Sequence, residues 1–238
     1  MKRKLLLWFF AATLALAAPA SADQFLLGFN GFDYHSALST STHYLDVGDT
    51  YKQVGYVTSV DPGLLGGYID FGVNEYTYYM FNLTVASVAY WDGNYVEADF
   101  SNVSGARTRY YEDPLSGGTH GLYGTSPPNA TAPSTFIDGS VALGGKTYNF
   151  IVTWDIGLGQ GDFGGNMDLD EGSDLTYIPA NQLNGWILGG LAGSHSLSGP
   201  PNPSIPAGYD HQATGQCRRP SPTPSTHKTW GAIKALYR

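Results

Sequence analysis

The chain has 238 residues, 42% of them hydrophobic, with 31 glycines, 17 tyrosines, a single cysteine and a net charge of −8. The charge is unevenly spread: residues 23–215 hold all 20 acids against Lys52, Arg107, Arg109 and Lys146, a net −16, while residues 216–238 hold five cations and no acid. A body this acidic repels phosphate backbones, which excludes nucleic acid as its partner. One cysteine excludes a fold stapled by internal disulfides.

In chain order, Lys2, Arg3 and Lys4 precede an apolar run from Leu5 to Ala18, and Ala20-Ser21-Ala22 stands ahead of Asp23. The three regions read as a signal peptide over residues 1–22. The apolar run is shorter than the roughly 20 residues of a spanning helix, and no later stretch approaches that length. The expectation is a secreted or cell-surface, extracytoplasmic chain without a transmembrane anchor. Cys217 then reads as a free thiol, an intermolecular bridge or an inert residue of a tail.

Residues 23–215 show short β-branched or aromatic runs bounded by Gly, Pro, Asn or Asp, the strand signal. They predict strands over residues 54–60, 67–73, 76–91 (two strands or one long bent one), 95–103, 106–112, 135–143, 147–154, 165–169, 175–178 and 185–190. Asp92-Gly93 and Gly144-Gly145 are dipeptides of the hairpin type. Alternation in Tyr148, Phe150, Val152 and Trp154 predicts one aromatic face turned to the core. The fold class implied is all-β, an antiparallel β-sandwich, jelly-roll-like or Ig-like.

From Gly199 the chain is punctuated by Pro200, Pro201, Pro203 and Pro206, predicting an extended segment that wraps the body. Residues 216–227 read as a Pro/Ser/Thr-rich linker in the polyproline II regime. In residues 228–238, Trp230, Ile233 and Tyr237 fall at helical spacing, with Lys234 and Arg238 among the cations, which predicts a short basic amphipathic helix. A segment this short needs a partner surface to fold on. The run Thr229-Trp230-Gly231-Ala232-Ile233-Lys234-Ala235-Leu236-Tyr237-Arg238 after a proline-rich stretch resembles the tail of assorted uncharacterised secreted bacterial proteins. Asn74-Glu75-Tyr76-Thr77 and Gly208-Tyr209-Asp210-His211-Gln212 are likewise similar to segments of exported proteins. The resemblance implies sorting or docking through Trp230, Ile233, Lys234, Tyr237 and Arg238, with cell-surface or sorting machinery as partner, and brings no activity with it.

Chemistry is sparse. Asp162, Asn166, Asp168, Asp170, Glu171 and Asp174 form the densest polar cluster, and alternating oxygens followed by a glycine turn suit calcium. The loop departs from an EF-hand, since Gly172 arrives one position late and no glutamate stands at the twelfth place. The competing reading is an acidic solvated strand with Asn166, Asp168 and Asp170 on one outer face. Glu97-Ala98-Asp99 matches part of a glycanase pattern whose third acid is replaced by Asn102, so a glycoside hydrolase stays a second alternative. The six histidines read as scattered surface residues. Trp91 and Tyr95, beside a predicted turn, are the candidates for stacking on sugar rings. The leading expectation is a noncatalytic secreted or cell-surface protein, structural or adhesive, retained by its tail. The alternative is a calcium-supported carbohydrate-binding module.

Overall fold

The structure, a computed structural model, describes residues 23–36, 45–91, 93–100, 105–116, 134–193, 205 and 209–220, and for Trp91 and Ser134 the backbone alone. The chain divides into two compact units: residues 25–219, which hold the fold, and residues 1–24 with 220–238, of which only 23, 24 and 220 are described. The expected signal peptide and the tail residues Trp230, Ile233, Lys234, Tyr237 and Arg238 lie outside the described residues.

Ten strands run in chain order: β1 (Gln24–His35), β2 (Thr50–Val60), β3 (Asn74–Thr84), β4 (Ser87–Trp91), β5 (Tyr95–Asp99), β6 (Arg107–Pro114), β7 (Ser140–Asp155), β8 (Gln160–Glu171), β9 (Trp186–Gly193) and β10 (His211–Arg219). β7 pairs with β6 through Arg107↔Lys146 and with β5 through Glu97↔Thr153, so β5 and β6 lie end to end along one edge of it. β4 pairs with β5 as β3 pairs with β6. The pairs β3–β4 and β5–β6 thus act as two long staves joined by the turn at Gly93, whose φ of 80° is the conformation expected there. Each stave pairs with its neighbour in the chain, β7 joins β8, and β10 returns beside β1. The result is a closed antiparallel barrel of eight staves.

The all-β, antiparallel expectation holds, but the sandwich is corrected to a barrel, because β1 and β10, which carry no clear strand signal, close the sheet on itself. Further expectations change with it. Residues 67–73 form turns and residues 173–177 a 3-10 helix, where two strands were expected. Gly144-Gly145 is no hairpin: β7 runs unbroken through it, with a bulge against β8. A Cβ at Gly144 would come within 2.8 Å of the Glu171 side chain, so glycine serves close strand approach there. A second bulge between Tyr148 and Ile151, with Asn149 at φ 49°, breaks the predicted alternation. Phe150, Val152 and Trp154 are buried, whereas Tyr148 reaches Asp168 on the outer wall. β10 also extends through Arg219, so residues 216–219, expected in the linker, belong to the barrel. Cys217 is accordingly a fully buried thiol rather than a tail residue, and burial pushes its pKa far up.

An eight-stranded barrel has an interior just wide enough for side chains to fill. This one is filled by pairing inward glycines with aromatic rings. A Cβ at Gly161 would come within 2.6 Å of Trp154, at Gly165 within 2.9 Å of Phe150, at Gly190 within 2.8 Å of Phe163, and at Gly215 within 2.6 Å of Phe29. On the outside, Phe136, Ile205 and Tyr209 pack with Val54 over the wall, the covering expected of the proline-punctuated segment at its described residues. Elsewhere the outer wall carries Lys52, Glu97, Arg107, Arg109, Lys146, Asp162 and Asp170.

Candidate functional site

β1 ends and β10 begins beside each other, and this brings together inward residues that sequence holds far apart. Asp33 and His211 are separated by 178 positions, yet Asp33 Oδ1 lies 2.8 Å from His211 Nδ1 and accepts the His211 backbone N–H at 2.9 Å. Asp33 Oδ2 lies 3.5 Å from His35 Nε2. All three side chains are at most 2% exposed. The rings of His35 and His211 meet edge to face, and Trp154 packs on His211 with ring centroids 4.0 Å apart.

The cluster continues along the barrel as a chain of hydrogen bonds. Tyr78 Oη donates to Gln53 Oε1 at 3.1 Å, Gln53 Nε2 to Tyr51 Oη at 3.0 Å, and Tyr51 Oη to Asp33 Oδ2 at 3.3 Å. Burial alone would raise the Asp33 pKa, but the attraction of His211 and His35 outweighs it and holds the carboxyl well below the usual range. Burial, aided by the Asp33 charge, pushes Tyr51 and Tyr78 far up, so both stay neutral donors. Asp210 accepts the His35 backbone N–H at 2.7 Å. Its burial, with the Asp33 charge adding, raises its pKa to about 7 despite the opposing pull of His35.

The surface reading of the histidines is thus corrected for His35 and His211, which are 1% exposed. Each sits at the end of an unread strand, and their partnership exists only through barrel closure. Inward alternation of Gly31, Asp33 and His35 against Phe32 and Tyr34 is the local signal that was present.

The acidic residues chosen from sequence are dispersed. Asp162, Asn166, Asp168 and Asp170 lie along the outer face of β8, about 13 Å apart from Asp162 to Asn166 and about 7 Å at each later step. Asp168 accepts Tyr148 Oη at 3.1 Å and the Gly185 N–H at 2.9 Å, and Asn166 accepts from Asn149 at 3.2 Å. Arg107 grips Asp170 and Glu171, and Arg109 Nε donates to Glu171 at 2.9 Å. Asp174 lies apart in the Ser173–Tyr177 turn, where burial raises its pKa.

A second feature lies on the outer wall. A groove of about 470 Å³ is lined by Glu97, Asn149, Ile151, Thr153, Asp162, Phe163, Gly164, Gly165, Asn166 and Ile187. Glu97, Thr153 and Asp162 stand in one cross-strand row over β5, β7 and β8, with Leu191, 64% exposed, next in the row on β9. The recess exists because Gly164 has no side chain; a Cβ there meets nothing nearer than 3.9 Å. Tyr95 lies two residues from Glu97 on the same strand face, in register with Trp91 of β4. Asp99 follows on that face, so Glu97 and Asp99 both belong to the outer wall. Comparison of the chain with protein-family models, curated proteins and solved structures returned no match.

Proposed function

We propose that this chain is an exported, noncatalytic barrel of the cell surface, adhesive in character, that holds a glycan chain in the groove over β5, β7, β8 and β9. The observation that carries the reading is the recess on the outer wall, lined by carboxylates, amides and apolar side chains, over an interior in which aromatic rings occupy the space of inward glycines. The groove offers carboxylates and amides as hydrogen-bond partners for hydroxyls and an apolar floor for the faces of sugar rings. Tyr95 lies two residues from Glu97 on the same strand face, which offers an aromatic ring beside the groove for stacking on sugars. Retention at the cell surface through residues 228–238 is part of the same proposal.

Gly164→Leu tests the groove without disturbing the fold, because the new side chain enters open space. The full chain should bind members of a panel of neutral and basic polysaccharides, and Gly164→Leu and Glu97→Gln/Asp162→Asn should each weaken that binding at least tenfold with the melting temperature unchanged. Binding that ignores both variants, or none across the panel, overturns the assignment. Deleting residues 228–238 should shift the protein from the cell fraction to the medium, and an unchanged distribution removes the retention role.

A further inference from the structure

We infer that Asp33, His35 and His211 form a binding site for one divalent transition-metal ion, with zinc the species their chemistry suits best. Each residue offers one ligand atom, and the three atoms lie within 4.8 Å of one another inside the barrel. Two imidazole nitrogens and a carboxylate oxygen are a donor set for zinc, and the nitrogens disfavour the hard, oxygen-seeking calcium and magnesium. Zinc bonds of about 2.0–2.2 Å place tetrahedral ligand atoms about 3.4 Å apart. Separations from the Asp33 carboxylate lie on both sides of that value, 2.8 Å to His211 Nδ1 through Oδ1 and 3.5 Å to His35 Nε2 through Oδ2, and the whole set spans no more than 4.8 Å. Side-chain shifts within fixed strand ends then open the set around an ion.

The surroundings are those of a built site. Tyr51 Oη donates to the carboxylate that would bind the ion, and the Asp210 carboxylate holds the backbone of His35. Trp154 fixes the ring plane of His211, and Phe100 and Phe150 back Tyr51. Such partners orient ligands and tune their basicity. A buried carboxylate with two buried imidazoles costs desolvation that apolar side chains of equal volume avoid; an ion bonded to all three groups offsets that cost. The outer row of β8 differs in kind, since its carboxylates are spread along a strand and Asp170 and Glu171 already face arginines.

The full chain, stripped with chelator and dialysed, should take up one equivalent of zinc and gain about 5 °C or more in melting temperature at saturating metal. Cobalt in its place should give visible d–d absorption. Asp33→Asn and His35→Gln should each lower zinc affinity at least a hundredfold. Should those variants fail to fold, nitrogen NMR of the wild-type chain decides: the ring nitrogens of His35 and His211 must shift on zinc addition. Zinc uptake that leaves both rings unmoved, affinity unchanged in the folded variants, no uptake at all, or stabilisation by calcium but not by zinc each overturns the site.

Discussion

The two faces of β8 use the same twelve residues in opposite ways. Inward, Gly161 and Gly165 leave space for Trp154 and Phe150, and Phe163, Met167 and Leu169 are at most 3% exposed. Outward, Asp162, Gly164, Asn166, Asp168 and Asp170 meet solvent, arginines and amides. A glycine therefore means two things on one strand: at Gly165 it is the mould of a ring, at Gly164 an open space. Stability is invested in the inner face, and the outer face is left to change without cost to the barrel.

The sharpest test compares glycines across that divide. Gly215→Val brings a branched side chain onto Phe29 and the Gly189 carbonyl, where even a Cβ would lie within 2.7 Å of both. Overpacking with backbone in the way should cost more than about 3 kcal/mol or prevent folding. Gly164→Leu, two strands away on the outer wall, should change stability by less than about 0.5 kcal/mol. Urea unfolding of the pair measures the difference, and equal losses would mean that the glycines serve backbone conformation rather than space.

Those inward glycines also explain what was legible in the sequence. Strands rich in Tyr, Phe, Val and Trp announced themselves, as did the turn at Gly93, because large side chains and turn residues carry local signals. β1 and β10 did not. β10 turns the small Ala213, Gly215 and Cys217 inward, and in β1 the inward row passes from Phe29 to Gly31, Asp33 and His35, which breaks the apolar pattern. Small residues accept the rings of other strands and so lack strand character of their own. With the closing strands unread, a sandwich was the natural inference, and the Asp33, His35 and His211 constellation was out of reach because barrel closure alone creates it. The acidic outer row was legible as an alternating face, but its arginine partners come from β6 and appear only with the register.

A smaller effect is expected from the polar chain inside the barrel. Tyr78→Phe keeps the ring beside Gly55 but leaves Gln53 Oε1 without the hydroxyl that now donates at 3.1 Å. Loss of one buried donor should cost about 1–2 kcal/mol, well below the glycine variant, because shape is preserved. A value near zero in the same urea experiment would mean that water takes the place of the hydroxyl, and hence that the interior is wetter than its aromatic lining implies.

The outer wall should give the smallest effect, and one that depends on pH. Hydrogen bonds from Arg109 outweigh partial burial and, with Arg107, lower the Glu171 pKa below its ordinary value of 4.5. A carboxylate whose folded pKa is depressed contributes stability above its unfolded pKa and loses it as pH falls through the folded one. The Glu171 carboxylate is 28% exposed, so solvent screens the pair, and Glu171→Gln should cost no more than about 1 kcal/mol at neutral pH. That difference from the wild type should shrink once pH drops below about 4, and it should also shrink in high salt. Urea unfolding at pH 7 and pH 3 tests both arms. A gap that persists at low pH would mean that the charge is not its source, since glutamine keeps the shape of the side chain over Gly144.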